Sequence, residues 1–414
     1  MRVRRGVLLL LLALAGCARE AAPPNVVLIL ADDQHWSDFG FQGSEAVRTP
    51  HLDALAAEGL VFPRGYVPTA LCRPSLATLA TGLHPHQHRI TGNDPPRSTD
   101  RRELLAHIAA VETLPALLGA AGYRSFQAGK WWEGSFAEGG FTAGMTHGDP
   151  ARGGRHGDEG LAIGRDTMQP VLDFVDSCAA EGAPFFLWYA PFLPHTPHDP
   201  PARLLAAFAL PGVPAPVTKY RAMCAWFDET CGQLLDHLAS RGLADDTLVV
   251  FLVDNGWIQR DGGPGFAPRS KRTPYEGGVR TPLVLRWPGR VAPERRDVPV
   301  SSVDVPATIL AACGIAPPES WPGADLLAAG AEHGPVFGAA YTHDMVDPAD
   351  PACSLLTRWV LRDPHKLLVH ADPDRPAELY DLRADPAEER PLDDPALAAA
   401  LRAELDAWWP GTPR

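Results

Sequence analysis

The chain has 414 residues, 45% of them hydrophobic, with 43 prolines; this suits a large folded core with many ordered loops, either as two or three domains or as one large α/β enzyme. A formal net charge of −13 argues against nucleic acid as a partner, and any site for anions must gather positive charge locally against that field. No internal repeat or low-complexity tract is present.

At the N-terminus, Arg2, Arg4 and Arg5 precede a short apolar run, Val7–Leu14, too short to span a bilayer. "LAGC" (14–17) follows and looks like a bacterial lipobox. The expectation is a signal peptide over 1–16, acylation of the Cys17 thiol, and a lipidated tether over 17–24. Such a chain is an exported lipoprotein, held to a membrane on its periplasmic or cell-surface face. Loss of residues 1–16 removes three arginines and no acid and takes the net charge to −16. No other run is apolar and long enough to span a membrane. Of the remaining cysteines, Cys224 and Cys231 lie seven apart on one predicted helix, about 10 Å along its axis, too far for a disulfide. They and the others read as buried thiols.

Five hydrophobic runs are predicted as buried strands: "NVVLIL" (25–30), "YRSFQA" (123–128), "PFFLWYA" (184–190), "TLVVFLV" (247–253) and "PLVLRW" (282–287). Between them lie helical patterns: "HLDALAAEGL", a helix opening at "CRPS" (72–75), "TLPALLGAAG" with Gly122 as its stop, and the long "KYRAMCAWFDETCGQLLDHLASRG". Strands alternating with helices predict a mostly parallel sheet covered on both faces.

The polar residues that follow the strands carry the chemistry. Asp32 and Asp33 follow the first, Lys130 the second, His195 the third, and Asp254 and Asn255 the fourth. Ligands of open α/β sheets bind beyond the carboxyl ends of the strands, so these residues are expected to converge. Asp32, Asp33, Asp254 and Asn255 are hard oxygen donors suited to Ca²⁺ or Mg²⁺; singly, each would read as a turn or helix cap. Cys72, at a helix start two residues before Pro74, is placed where the helix dipole favours a thiolate or another developing anion. Lys130 and Lys271 are candidate counter-charges for an oxyanion.

In order along the chain, "NVVLILADDQ", "CRPS…TG", "GKWW", "PFLPHTPH", "VDNG", "KRTPYEGGVRTP" and "ELYDLRADPAEE" resemble the sulfatase family over nearly the whole mature chain. The resemblance implies an alkaline-phosphatase-like α/β sandwich with a catalytic domain over 25–332 and a smaller α+β C-terminal subdomain over 333–414. It implies a sulfuric-ester hydrolase in which Cys72 is oxidised to formylglycine by a formylglycine-generating enzyme. Asp32, Asp33, Asp254 and Asn255 would hold a divalent cation, calcium by family habit with magnesium as the alternative. Lys130 and Lys271 would neutralise the sulfate oxygens, and His195 would help protonate the leaving alcohol.

Two positions depart from the family pattern. Leu76 stands where the signature has arginine, and Trp132 where a histidine follows the lysine. Both fall on handling of the nucleophile. Arg73 is adjacent but points elsewhere on a helical turn; His35, His86 and His88 are spare candidates for the missing base. The substrate expected is a sulfated small molecule or glycan, and the loops 141–160 and 333–352 are expected to shape the pocket. Two other functions are weighed: a phosphate or phosphonate ester hydrolase using unmodified Cys72 or a metal hydroxide, and a non-catalytic binder of sulfated glycans with Trp131 and Trp132 stacked on sugar faces.

Overall fold

The computed structural model describes residues 23–97, 99–148, 158–328 and 334–412. The signal segment and Cys17 lie outside the described residues, as does part of the loop 141–160.

The main sheet contains β1 (Asn25–Ala31), β2 (Leu60–Tyr66), β3 (Arg124–Gly129), β4 (Ala143–Gly144), β5 (Phe185–Ala190), β6 (Thr247–Val253), β7 (Arg280–Arg286), β8 (Glu294–Arg295) and β9 (Val300–Ser301). Their order is β4-β3-β5-β1-β6-β7-β2-β8, with β9 also paired to β2. The half from β4 to β6 is parallel throughout, whereas β7 runs antiparallel to both β6 and β2. All five hydrophobic runs form strands. The sequence reading missed β2, where Pro63 and Gly65 interrupt the apolar run and the pairing with β7 shifts register between Phe62 and Gly65.

Alternation along β1 shows why the fold is a sandwich. Val26, Leu28 and Leu30 pack into one core with Leu76, Leu79 and Trp188. Val27, Ile29 and Ala31 pack into the other with Phe174, Met223 and Phe227. Successive side chains of a strand face opposite sides, so a strand apolar at every position must be covered twice. The helix Cys72–Thr81 covers the first face; Gln169–Glu181 and the long Ala215–Ser240 cover the second. Cys224 and Cys231 are buried free thiols on that long helix.

A second, antiparallel sheet follows: β10 (Val336–Tyr341), β11 (Leu355–Arg362), β12 (His365–His370) and β13 (Glu378–Asp381). One face packs on the helix Pro395–Trp408 through Val360, Leu367, Leu401 and Leu405. The other meets Tyr66, Tyr275 and Val279 of the main body through Trp359, Leu368 and Tyr380.

Candidate active site

The predicted residues do converge. Asp32 and Asp33 leave β1, which pairs in parallel with β6, and β6 ends immediately before Asp254 and Asn255. The backbone N–H of Asp254 donates to Ala31 O (3.0 Å), and that of Asp33 donates to Asp254 Oδ1 (3.1 Å). Asp33 sits in the left-handed region at φ 64°, uncommon for any residue but glycine and a hint of functional constraint.

Lys130 follows β3 through Gly129, whose φ is 88°. A Cβ there would fall 2.0 Å from Ala190 O, so only glycine lets β3 turn this close to β5. Lys130 Nζ then donates to Asp32 Oδ1 (2.6 Å) and Asp254 Oδ2 (3.2 Å). Lys271 Nζ donates to both oxygens of Asp33 (2.5 and 2.7 Å) and lies 3.0 Å from Cys72 Sγ. That sulfur is also 4.0 Å from one oxygen each of Asp32 and Asp33. His195 places Nε2 at 3.5 Å from Asp33 Oδ2, and its Nδ1 is 2.6 Å from Thr196 O. A carbonyl only accepts, so Nδ1 carries the proton and Nε2 is the exchangeable nitrogen.

Three buried carboxylates thus face two buried ammonium groups. Burial, the largest influence on every group here, acts unevenly. It raises Asp32 and lifts Asp254 to about 7, each against the pull of Lys130. It would also raise Asp33, but Lys271, His195 and Lys130 together hold that residue down to about 2. Burial lowers His195 to about 4, which leaves the ring neutral at pH 7. It also corrects the expectation of a dipole-stabilised thiolate: Cys72 is pushed up to about 12 in spite of both lysines and stays a thiol.

The residues fit a divalent cation on the evidence of atoms left over. Asp32 Oδ2 and Asn255 Oδ1 are buried without a hydrogen-bond partner, and oxygens of Asp32, Asp33 and Asp254 lie within 4.8 Å of one another. A buried carboxylate oxygen with no donor is costly. A hard cation satisfies it, and all four residues offer the right atoms.

Other expectations need correction. His86 stacks on Trp409 (ring centroids 4.6 Å apart), His88 meets Thr78 Oγ1 and Ile90 N, and His35 bonds Ser37. Among the described residues no hydrogen bond joins any of the three to Cys72. Trp131 is 1% exposed and packs edge-on against Phe141 and Trp188, and Trp132 is 5% exposed. Neither is an open platform for a sugar. Leu76 is part of the first core, an apolar site with no place for a charge. Sequence reasoning missed Glu133 and Asn93. Asn93 Oδ1 accepts from the backbone N–H of Arg73, and Glu133 pairs with the Arg73 side chain. An acid beside two tryptophans in "GKWWEG" was the available signal for Glu133; Asn93 carried none.

Cationic groups beside a buried residue at a helix start, above an acidic cation site, are what cleavage of an anionic ester demands. Fold and site together define an ester hydrolase of the α/β sandwich class. Within that class the chain belongs to the sulfatase family and is a sulfuric-ester hydrolase. The Sulfatase family model matches residues 24–315, and the model for the N-sulphoglucosamine sulphohydrolase C-terminal region matches 266–408. The chain is 32% identical to N-acetylgalactosamine-6-sulfatase of Mus musculus over 356 residues, covering 75% of this chain and 67% of that one. It is 32% identical to Arylsulfatase A of Homo sapiens over 352 residues, 74% and 67% of the two chains. It therefore spans about two thirds of the length of these relatives. The crystal structure of Ps i-CgsB in complex with k-i-k-neocarrahexaose superposes with a TM-score of 0.77 at 25% identity, covering 94% of each chain.

Proposed function

We propose that this hydrolase removes sulfate from a sulfated carbohydrate, with residue 72 supplying the nucleophile. Asp32, Asp33, Asp254 and Asn255 would hold a divalent cation, calcium rather than magnesium. The observation that carries the reading is the open donor set: two orphaned buried oxygens, Asp32 Oδ2 and Asn255 Oδ1, in the cluster that also contacts Cys72 Sγ. The carbohydrate is inferred from relatives, one named N-acetylgalactosamine-6-sulfatase and one solved in complex with k-i-k-neocarrahexaose.

When bound, the cation would neutralise sulfate oxygens and acidify the attacking oxygen. Lys271 lies against Cys72 Sγ and Lys130 against Asp32 and Asp254; each ammonium is placed to draw an entering sulfate toward residue 72. His195 holds its Nδ1 proton on Thr196 O, which leaves Nε2 a bare acceptor; it would take up the proton released by the attacking nucleophile and pass that proton to the departing alcohol. A thiol raised to about 12 is a poor nucleophile at neutral pH. This favours oxidation of Cys72 to formylglycine, whose hydrate would offer an oxygen instead. The oxidation would require a formylglycine-generating enzyme that accepts Leu76. Export and membrane anchoring through acylated Cys17 complete the proposal; C17S should move the protein out of the membrane fraction.

The decisive assay is hydrolysis of 4-nitrophenyl sulfate, N-acetylgalactosamine 6-sulfate and 4-nitrophenyl phosphate with and without EDTA, on wild type and C72A, alongside peptide mass spectrometry of residue 72. Sulfate release that stops with EDTA and with C72A is expected. Turnover of the phosphate ester alone would replace the reading, and full activity in C72A would remove residue 72 from it.

A further inference from the structure

The helix that begins at Cys72 contains one charged residue, Arg73, with no part in the reaction as described. The Arg73 side chain is fully buried, and its guanidinium donates from Nε to Glu133 Oε1 (2.5 Å) and from Nη2 to Glu133 Oε2 (2.7 Å). Glu133 is 2% exposed. This is a bidentate fork between planar groups, which fixes orientation as well as distance.

As a source of stability the pair is poorly made. Taking both ions out of water costs several kcal/mol each, and apolar residues of the same size often do as well or better. The third guanidinium nitrogen, Nη1, is buried with no hydrogen-bond partner, a further cost. What the pair joins is more telling. Arg73 is next to Cys72, and its backbone N–H is fixed by Asn93 Oδ1 (3.0 Å). Glu133 is three residues beyond Lys130, in a turn held by Trp131 Nε1 donating to Glu133 O (3.1 Å) and Trp188 Nε1 donating to Lys130 O (3.2 Å). The fork therefore spans from the start of the helix to the turn after β3. Among the described residues it is the ion pair connecting these two segments.

We infer that Arg73 and Glu133 are a positioning pair, setting the distance and angle between residue 72 and the Lys130 ammonium. The inference rests on residue 72 as the nucleophile's source. Neither side chain touches the reacting atoms. A rigid link matters because a misplacement of about 1 Å can cost on the order of a hundredfold in rate.

The test uses the full-length protein and 4-nitrophenyl sulfate, with the state of residue 72 measured by peptide mass spectrometry so that kcat is normalised to competent sites. Single variants R73Q and E133Q leave a buried charge unpaired and can fail to fold, so the double variant R73M/E133L carries the test, since it removes both charges without an orphan. We expect it to keep the wild-type urea midpoint and KM within about twofold while normalised kcat falls about tenfold or more. R73K, which keeps the charge but loses the fork, should fall between. A folded double variant with wild-type kcat overturns the inference. So does one that fails to fold, which would assign the pair to stability. Loss of activity in C72A with no effect in R73M/E133L defeats the pair alone; activity retained in C72A defeats the reading beneath it.

Discussion

Two buried charge clusters in this molecule are built to opposite plans. At the junction of the two sheets, Lys366 is fully buried and pairs with Glu276 (3.1 Å) and Glu388 (2.9 Å). Glu276 also accepts from Tyr66 OH (3.0 Å) and lies 3.6 Å from Arg280, and its backbone N–H donates to Glu388 Oε2 (2.6 Å). Two acids meet two bases, so the charges of the cluster balance. In the cleft, three carboxylates meet two ammonium groups, and oxygens of Asp32 and Asn255 are left over. Similar residue types at similar burial thus give a bolt in one place and a receptor in the other. Whether acids and bases balance separates the two; at the junction even Glu388 Oε1, which accepts no hydrogen bond, has the Lys366 ammonium at 2.9 Å.

The largest effect that sharpens this contrast is on activity. D254A or D32A should lose bound cation, read by elemental analysis, and lower kcat on 4-nitrophenyl sulfate by on the order of a thousandfold, since the cation's charge stabilisation is worth several kcal/mol. Full activity of the D32A/D254A double variant would erase the distinction.

Next in size is the bolt. K366M leaves Glu388 without its cation in the core and should destabilise by about 3–5 kcal/mol, measured by urea unfolding. A change under about 1 kcal/mol would show that the junction does not depend on its charges.

Chelation probes the receptor directly. EDTA should lower the stability of wild type by about 3–4 kcal/mol if the cation was present at several hundred times its Kd. In EDTA at pH 8, D254N should melt higher than wild type. Asp254 is raised to about 7 by burial, so with no cation bound its ionisation costs stability progressively from pH 3.8 upward and in full above about 7. An equal or lower melting point would contradict the view of the cleft as an open cluster.

The smallest effect lies at the edge of the junction. Glu378 accepts from Tyr275 OH, Tyr380 OH and Arg375; burial would raise it, but these donors hold it at about 2, against an ordinary 4.5. A depressed carboxylate stabilises the fold above its unfolded pKa and loses that contribution as pH falls through the folded one. The advantage of wild type over E378Q should be full at pH 7 and vanish between pH 4.5 and about 2. An advantage that does not change with pH would show that the donors act through shape alone.

The receptor was far more legible in the sequence than the bolt. Asp32, Asp33, Lys130, His195, Asp254 and Asn255 each follow a hydrophobic strand, and a parallel sheet brings such ends together by construction. Cys72 and Lys271 were legible through their motifs. Lys366, Glu276 and Glu388 sit within or beside strands and turns of different elements, where a charged residue in one sequence reads as a solvated surface group. Their pairing depends on how one sheet docks on the other, which periodicity does not encode. Glu133 was hidden for the same reason, and β2 because Pro63 and Gly65 broke its apolar run. The Cys72 thiol was misjudged because the helix dipole is visible in a sequence and the depth of burial is not.

The contacts that build the cleft reach far along the chain: Asp33 meets Asp254 across 221 positions and Lys271 across 238. No local segment can form any part of it in advance. Closing loops of that length comes late in folding, so the cleft should be absent from the transition state. Substitutions among its residues should then leave refolding rates nearly unchanged and appear in the unfolding arm of a chevron plot, which makes the active centre a determinant of how long a folded molecule lasts rather than of how quickly it is made.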